Sequence, residues 1–345
     1  MWMGVIMRAF ESIKIKNFEV KNRIVMPPMC MYTADTDGYA NEFHHVHYGS
    51  RAVGGVGIII VEATGVTSNG RISEHDLGIW DDNHISGLKK IVELCKPYGT
   101  KMVIQLAHAG RKCEVISEEI VAPSGIPFDE NSRVPKELSQ DEIKEIIASF
   151  REAAIRAVKA GFDGVEIHAA HGYLIHEFLS PITNQRTDEY GGNVINRSRL
   201  LREILEEVRK VLPSDMPIFL RVSASDYTPD GLDVYKMEEI INEVRDFIDV
   251  LDVSSGGVIQ ARIAVYNGYQ VRFSEYLKSK CNVPTIAVGL ITGPELVEEV
   301  LFNNRADFVA LGRELLRNPY WVLDTAYENQ IPYVYPKQYI RAFHK

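Results

Sequence analysis

A chain of 345 residues, 46% hydrophobic and 25% charged, can bury one large core and is too apolar to stay disordered. Its net charge of -9 excludes the clustered Lys and Arg of a phosphate-backbone binder, so no nucleic-acid partner is expected. The longest apolar run, residues 56–61, is too short to cross a bilayer, and the four cysteines lack C-x-x-C spacing, which excludes a zinc ribbon or disulfide framework and suits a cytoplasmic protein.

Residues 1–9 are mildly apolar, with neither a basic n-region nor a small-residue cleavage site, and read as a disordered or short lead-in. From residue 10 to 345 one rhythm recurs. Short β-branched runs at 23–26, 56–61, 102–106, 164–168, 218–222, 250–253, 285–288 and 308–311 predict strands. Helical spacing fills most gaps between them. At 138–159, Ser139 and Glu142 form a capping box ahead of Ile143, Ile146, Ile147, Phe150, Ala154 and Val158. Helices are also predicted at 196–212 and, with Pro294 in the first turn, at 294–303.

Near-continuous apolar strands alternating with helices imply a parallel sheet covered by helices. Eight such units favour a single-domain (β/α)8 barrel, an α/β fold. An open doubly wound sheet is the alternative, but Pro27, Pro28, Met29 and Cys30 follow the first strand where its G-x-G-x-x-G would stand.

Barrel chemistry gathers at the C-terminal strand ends. There the sequence places Pro28, Met29 and Cys30; Glu62 and Ala63; Gln105 and His108; His168 and His171; Arg221; Ser254 to Gly257; Gly289; and Gly312 with Arg313. This set is rich in donors and glycines and has no lysine, so a Schiff-base aldolase is not expected. Gly289, Gly312 and Arg313 suit a phosphate, since glycine lets backbone N–H groups come close and Arg adds a charge-assisted contact.

The sharpest signal is His168-Ala169-Ala170-His171-Gly172-Tyr173. Two imidazoles at a strand end can donate to one oxygen that gains negative charge, and Tyr173 can supply a proton. A metal site is the rival reading. It would need a third ligand, for which Glu166 is less favourably placed than in a true triad. Cys30 reads either as a small buried hydrophobe or as a group that tunes a cofactor, and no neighbouring base makes it a nucleophile.

The segments Asn22 to Tyr32, Gln105 to Arg111 and His168 to Gly192, with Arg221-Val222-Ser223, Ser254-Ser255-Gly256-Gly257 and Gly312-Arg313-Glu314, resemble the Old Yellow Enzyme family, thermophilic-like bacterial ene-reductases in particular. The resemblance implies a tightly bound FMN at the barrel mouth. Pro27, Pro28, Met29, Cys30 and Ala63 would border its ring, Gln105 its pyrimidine edge, and Arg221 the N1–O2 side where reduction deposits negative charge. Ser255 and Gly256 are counted with these, and Gly289, Gly312 and Arg313 would hold the phosphate. His168, His171 and Tyr173 would be catalytic, with Tyr32 flanking the substrate.

The implied reaction takes hydride from NADPH or NADH and reduces electron-poor alkenes. The tail to Arg341 resembles a segment that enters a neighbouring subunit's site, so a homodimer or homotetramer is expected, although Ile340 stands where the family carries an acid. An iron–sulfur relative would need a cysteine cluster, and a flavin-binding protein without turnover would not need the His-His-Tyr set.

Overall fold

Strands apolar on both faces need helices outside and side chains inside, and the computed structural model, which describes residues 7–343, has that arrangement. The eight parallel strands are β1 (Ile24–Met26), β2 (Ile58–Gly65), β3 (Lys101–Ala107), β4 (Gly164–Ala169), β5 (Ile218–Ser223), β6 (Val250–Ser254), β7 (Thr285–Ala287) and β8 (Phe308–Ala310). They pair in chain order, and β8 pairs back onto β1, closing a barrel.

Seven strands match their predicted bounds to within one residue. The exception, β2, runs on to Gly65 because its register slips between Val61 and Thr64, a bulge that carries Glu62 and Ala63 at the mouth.

The strands β1 to β7 are each followed in turn by an outer helix: α1 (Glu42–Val53), α2 (His84–Cys95), α3 (Gln140–Ala160), α4 (Val194–Val211), α5 (Val234–Val244), α6 (Val271–Cys281) and α7 (Pro294–Phe302). After β8 come a short helix, Gly312–Arg317, and α8 (Trp321–Glu328). The capping box is present, Ser139 Oγ accepting from Glu142 N and Ser139 N donating to the Glu142 carboxylate. Among the described residues no helix is long and apolar enough to cross a membrane.

Residues 1–6 of the expected lead-in lie outside the described residues. Arg8–Phe10 forms a 3-10 turn with Ala9 buried. Arg8 donates to the Leu301 carbonyl at the end of α7 (3.0 Å), so packing begins ahead of residue 10.

Side chains two apart along a strand share a face, which stacks the barrel interior in layers. The lower part is apolar: Val25, Ile58, Ile60, Val103, Phe219, Val250, Ile286 and Phe308 pack together. An antiparallel hairpin, Ile13–Ile15 with Phe18–Val20, plugs this end, and Phe18 meets Phe219 edge-on at 5.8 Å. Two residues further along, the strands present Gln105, Glu166, Arg221 and Asp252, all buried. Two further still come His168, Ser223 and Ser254, at the mouth.

Candidate active site

The loop leaving β4 carries the histidines. His171 takes a positive φ of 61°, uncommon for a residue with a Cβ and tolerated where its surroundings hold it. Its amide donates to Ser223 Oγ (2.9 Å), and Ser223 in turn donates to the Gly256 carbonyl (2.8 Å). Lys112 Nζ donates to the carbonyls of His171 and Gly257. Gly257 lies flat against this loop, since a Cβ there would stand 2.6 Å from His171 Cα. Gly172 presses on Gly257 from the other side.

The His168 ring stands 5.2 Å from the His171 ring and 5.0 Å from the Tyr173 ring, edge-on to both. His171 Nε2 lies 2.8 Å from Ser254 Oγ, and the buried His168 Nδ1 has no partner. Burial, reinforced by the Arg221 cation, holds both imidazoles well below the ordinary histidine value. Each is therefore neutral at neutral pH and keeps one N–H. Burial pushes the Tyr173 phenol upward, so it keeps its proton. The cluster can donate three hydrogen bonds without carrying a charge.

On the β1 side, burial and then the Asp76 and Glu62 carboxylates push the Cys30 thiol upward, although the Ala63 amide bonds to it. A thiol so held is a poor nucleophile. Glu62 accepts from Met31 N (2.7 Å) and Tyr48 Oη (2.9 Å) and is held at about 7, chiefly by burial. It ties the Cys30–Tyr32 loop to the bulge of β2. Tyr32, with φ 53°, is half exposed on the rim.

A cavity of about 300 Å³ opens between β5, β7 and β8, lined by Pro27, Met29, Arg221, Gly289, Gly312 and Arg313, with Gln270 and Tyr269 from the loop before α6. Its walls need glycine. A Cβ on Gly289 (φ 129°) would stand 3.2 Å from Gln270 N, and one on Gly312 3.2 Å from Met29 Sδ. Among the described residues Arg313 forms no ion pair. A free guanidinium in a glycine-walled cavity suits an anionic group, and Arg221 lines the same cavity. These residues fit FMN, phosphate at the Arg313 end.

The predicted cofactor set thus falls into two groups. Pro27, Met29, Arg221, Gly289, Gly312 and Arg313 line the cavity, whereas Pro28, Cys30, Ala63, Gln105, Ser255 and Gly256 do not. Ser255 acts from behind, its hydroxyl donating to Gln270 Oε1. Gln105 Nε2 donates to Glu166 Oε1 (2.8 Å). Glu166 shares the inward face of His168 rather than the opposite one, but sits a layer deeper. No group of three or more His, Cys, Asp or Glu that could hold a metal occurs among the described residues.

Arg341 is exposed, in a 3-10 turn at Ile340–Ala342. The preceding Lys337 and Gln338 lie by Lys21, Gly55 and Pro97, residues that lead into β1, β2 and β3. That is the plugged end, so Arg341 is not brought to the mouth of its own chain. A larger groove, about 530 Å³, lies between α8 and the tail, but no His, Lys, Arg, Asp or Glu lines it.

Sequence reasoning missed Lys112, Tyr269 and Gln270 as site residues, and it named Ser223 and Ser254 without giving either a role. The two serines were accessible by counting inward positions on from Arg221 and Asp252. The loop before α6 has no periodicity to read.

The sequence pattern of the NADH:flavin oxidoreductase / NADH oxidase family matches residues 8–330. An NADPH dehydrogenase of Clostridium acetobutylicum is 61% identical over 338 residues, which cover 98% of this chain and all of that one. The old yellow enzyme homologue from Zymomonas mobilis superposes with a TM-score of 0.81 at 29% identity, covering 98% of this chain and 96% of that one. A 2-naphthoyl-CoA reductase superposes with a TM-score of 0.88 at 25% identity, and there this chain spans 52% of the longer protein.

Proposed function

Because the chain belongs to the NADH:flavin oxidoreductase / NADH oxidase family, whose enzymes use FMN and a nicotinamide nucleotide, we propose that it reduces the carbon–carbon double bond of α,β-unsaturated carbonyl and nitro compounds. The observation that carries this reading is the neutral His168–His171–Tyr173 cluster, in which His168 is buried with a ring nitrogen that has no partner and the other two are half-buried. Bound FMN would supply the hydride chemistry that links the nicotinamide nucleotide to an electron-poor carbon.

His168 and His171 hold the carbonyl or nitro oxygen. As hydride reaches the β carbon that oxygen gains negative charge, and preorganised donors of this kind are worth about 3 kcal/mol each. Neutral imidazoles suit the task, since they donate without first surrendering a proton. Tyr173 gives the α carbon its proton, and Lys112, with Nζ 5.1 Å from the centre of the Tyr173 ring, steadies the phenol.

Gln105 and Arg221 would hold the pyrimidine edge of FMN, Pro27 to Cys30 and Ala63 would border its ring, and Arg313 with Gly289 and Gly312 would take its phosphate. Arg341 touches substrate only from a neighbouring copy of the chain, which we assign to a homodimer or homotetramer. The four cysteines are free, which suits the cytoplasm.

The test is the double variant H168A/H171A. It should retain FMN while reducing 2-cyclohexenone at least a hundredfold more slowly, a factor that corresponds to about 2.7 kcal/mol. Unchanged turnover would refute the assignment.

A further inference from the structure

Beneath the histidines lies a charged layer that the mechanism above does not use. Arg221 faces Asp252 across the β5–β6 ladder and Gln105 faces Glu166 across β3–β4. Arg221 Nε stands 3.3 Å from Asp252 Oδ2. Glu166 has no cation within ion-pair distance among the described residues, and its Oε2, like both Asp252 carboxylate oxygens, has no hydrogen-bond partner. Two fully buried carboxyl groups therefore share a site with one guanidinium, whose other side borders the cavity. Ionising both acids would leave a net negative charge there, at a cost of several kcal/mol.

We propose that Glu166 keeps its proton, that Asp252 is the counter-ion of Arg221, and that Asp252 thereby sets the reduction potential of bound FMN. Both are positioning residues, acting through Gln105 and Arg221. A protonated Glu166 presents a carbonyl-type oxygen to the Gln105 N–H and fixes which end of that amide faces the mouth. Other groups facing the layer add no charge: His168 and His171 are neutral, and the Cys30 thiol is protonated. Lys112 sits further out, on the His171 carbonyl. Burial, and then repulsion from Asp252, drives Glu166 upward, whereas the rise that burial imposes on Asp252 is opposed by the adjacent Arg221 cation.

Reduction by NADPH moves two electrons and one proton into the ring as hydride and leaves negative charge at the edge assigned to Arg221. The more of the Arg221 charge Asp252 cancels, the less that reduced form is stabilised. The inference rests on FMN binding, not on which alkene is reduced.

The experiment compares potentials of FMN-loaded wild type, D252N and E166Q by dye equilibration at pH 7, without substrate. D252N should shift the reduction equilibrium at least tenfold toward the reduced form, about 30 mV for a two-electron couple. E166Q replaces a neutral acid by a neutral amide that still accepts from Gln105, and should shift it less than threefold. A D252N potential equal to wild type, or an E166Q shift as large as that of D252N, overturns the proposal. Infrared spectra supply a second reading if D252N does not fold. At pH 9 Glu62 and Glu177, held at about 7 and about 8, have largely ionised. A buried carboxylic-acid band should then persist in wild type and vanish in E166Q. Its survival in E166Q, or absence from wild type, also overturns the proposal.

Discussion

Replacing Gly257 by Ala tests whether backbone packing, rather than the side chains alone, aims His171. Gly257 has φ 98°, a region that costs a residue with a Cβ about 1–3 kcal/mol. The added carbon would also stand 2.6 Å from His171 Cα and 2.7 Å from the His171 carbonyl oxygen, where ordinary contact begins at 3.4 Å. Main chain cannot rotate aside as a side chain can, so the loop must retreat by about 1 Å, and a displacement of that size costs about a hundredfold in rate. G257A should therefore bind FMN normally, because Gly257 does not line the cavity, but lose about a hundredfold in kcat with 2-cyclohexenone. Gly192 supplies the control. It has φ 86°, but a Cβ there would meet nothing within 4 Å, so G192A should lose stability without losing rate. A G257A enzyme within threefold of wild type would refute the reasoning.

Three further outcomes follow from the same geometry. F18A should lower the unfolding free energy by about 3–5 kcal/mol, since Phe18 is only 4% exposed in the plug, while activity per folded molecule stays unchanged; denaturant titration beside an activity assay checks both. R313A should weaken FMN binding to the apoprotein about 10- to 100-fold, as expected for loss of a charge-assisted bond, and leave riboflavin, which lacks the phosphate, unaffected. Glu177 is fully buried and held at about 8 by burial, above its ordinary unfolded value. Its stabilisation is complete below the unfolded value, falls as pH rises between the two, and is gone above about 8. Between pH 5 and pH 8.5 the wild-type Tm should fall by more than that of E177Q; equal declines would contradict the linkage.

The barrel was legible because its strands are short, apolar and β-branched while its helices carry caps such as Ser139 with Glu142. The signal weakened where chemistry begins. In β2 the apolar run stops at Val61, yet the strand continues through Glu62 and Thr64, polar side chains that are buried but satisfied locally, Glu62 by Met31 N and Tyr48 Oη and Thr64 by the Glu62 carbonyl. The plugging hairpin escaped notice because its three-residue strands are too short to show a period. Pairs such as Arg221 with Asp252 depend on register between strands, which one sequence does not print. The same applies to Arg341, whose place at the plugged end reflects how the tail runs under the barrel rather than anything in its own motif.

That hairpin carries a kinetic consequence. With Phe18 and its neighbours stoppering one end and a close-packed apolar layer above them, the nucleotide and the alkene of the proposed reaction would share a single doorway. They must take turns. Initial rates at several fixed concentrations of each should give parallel double-reciprocal lines, and an excess of either should choke the other.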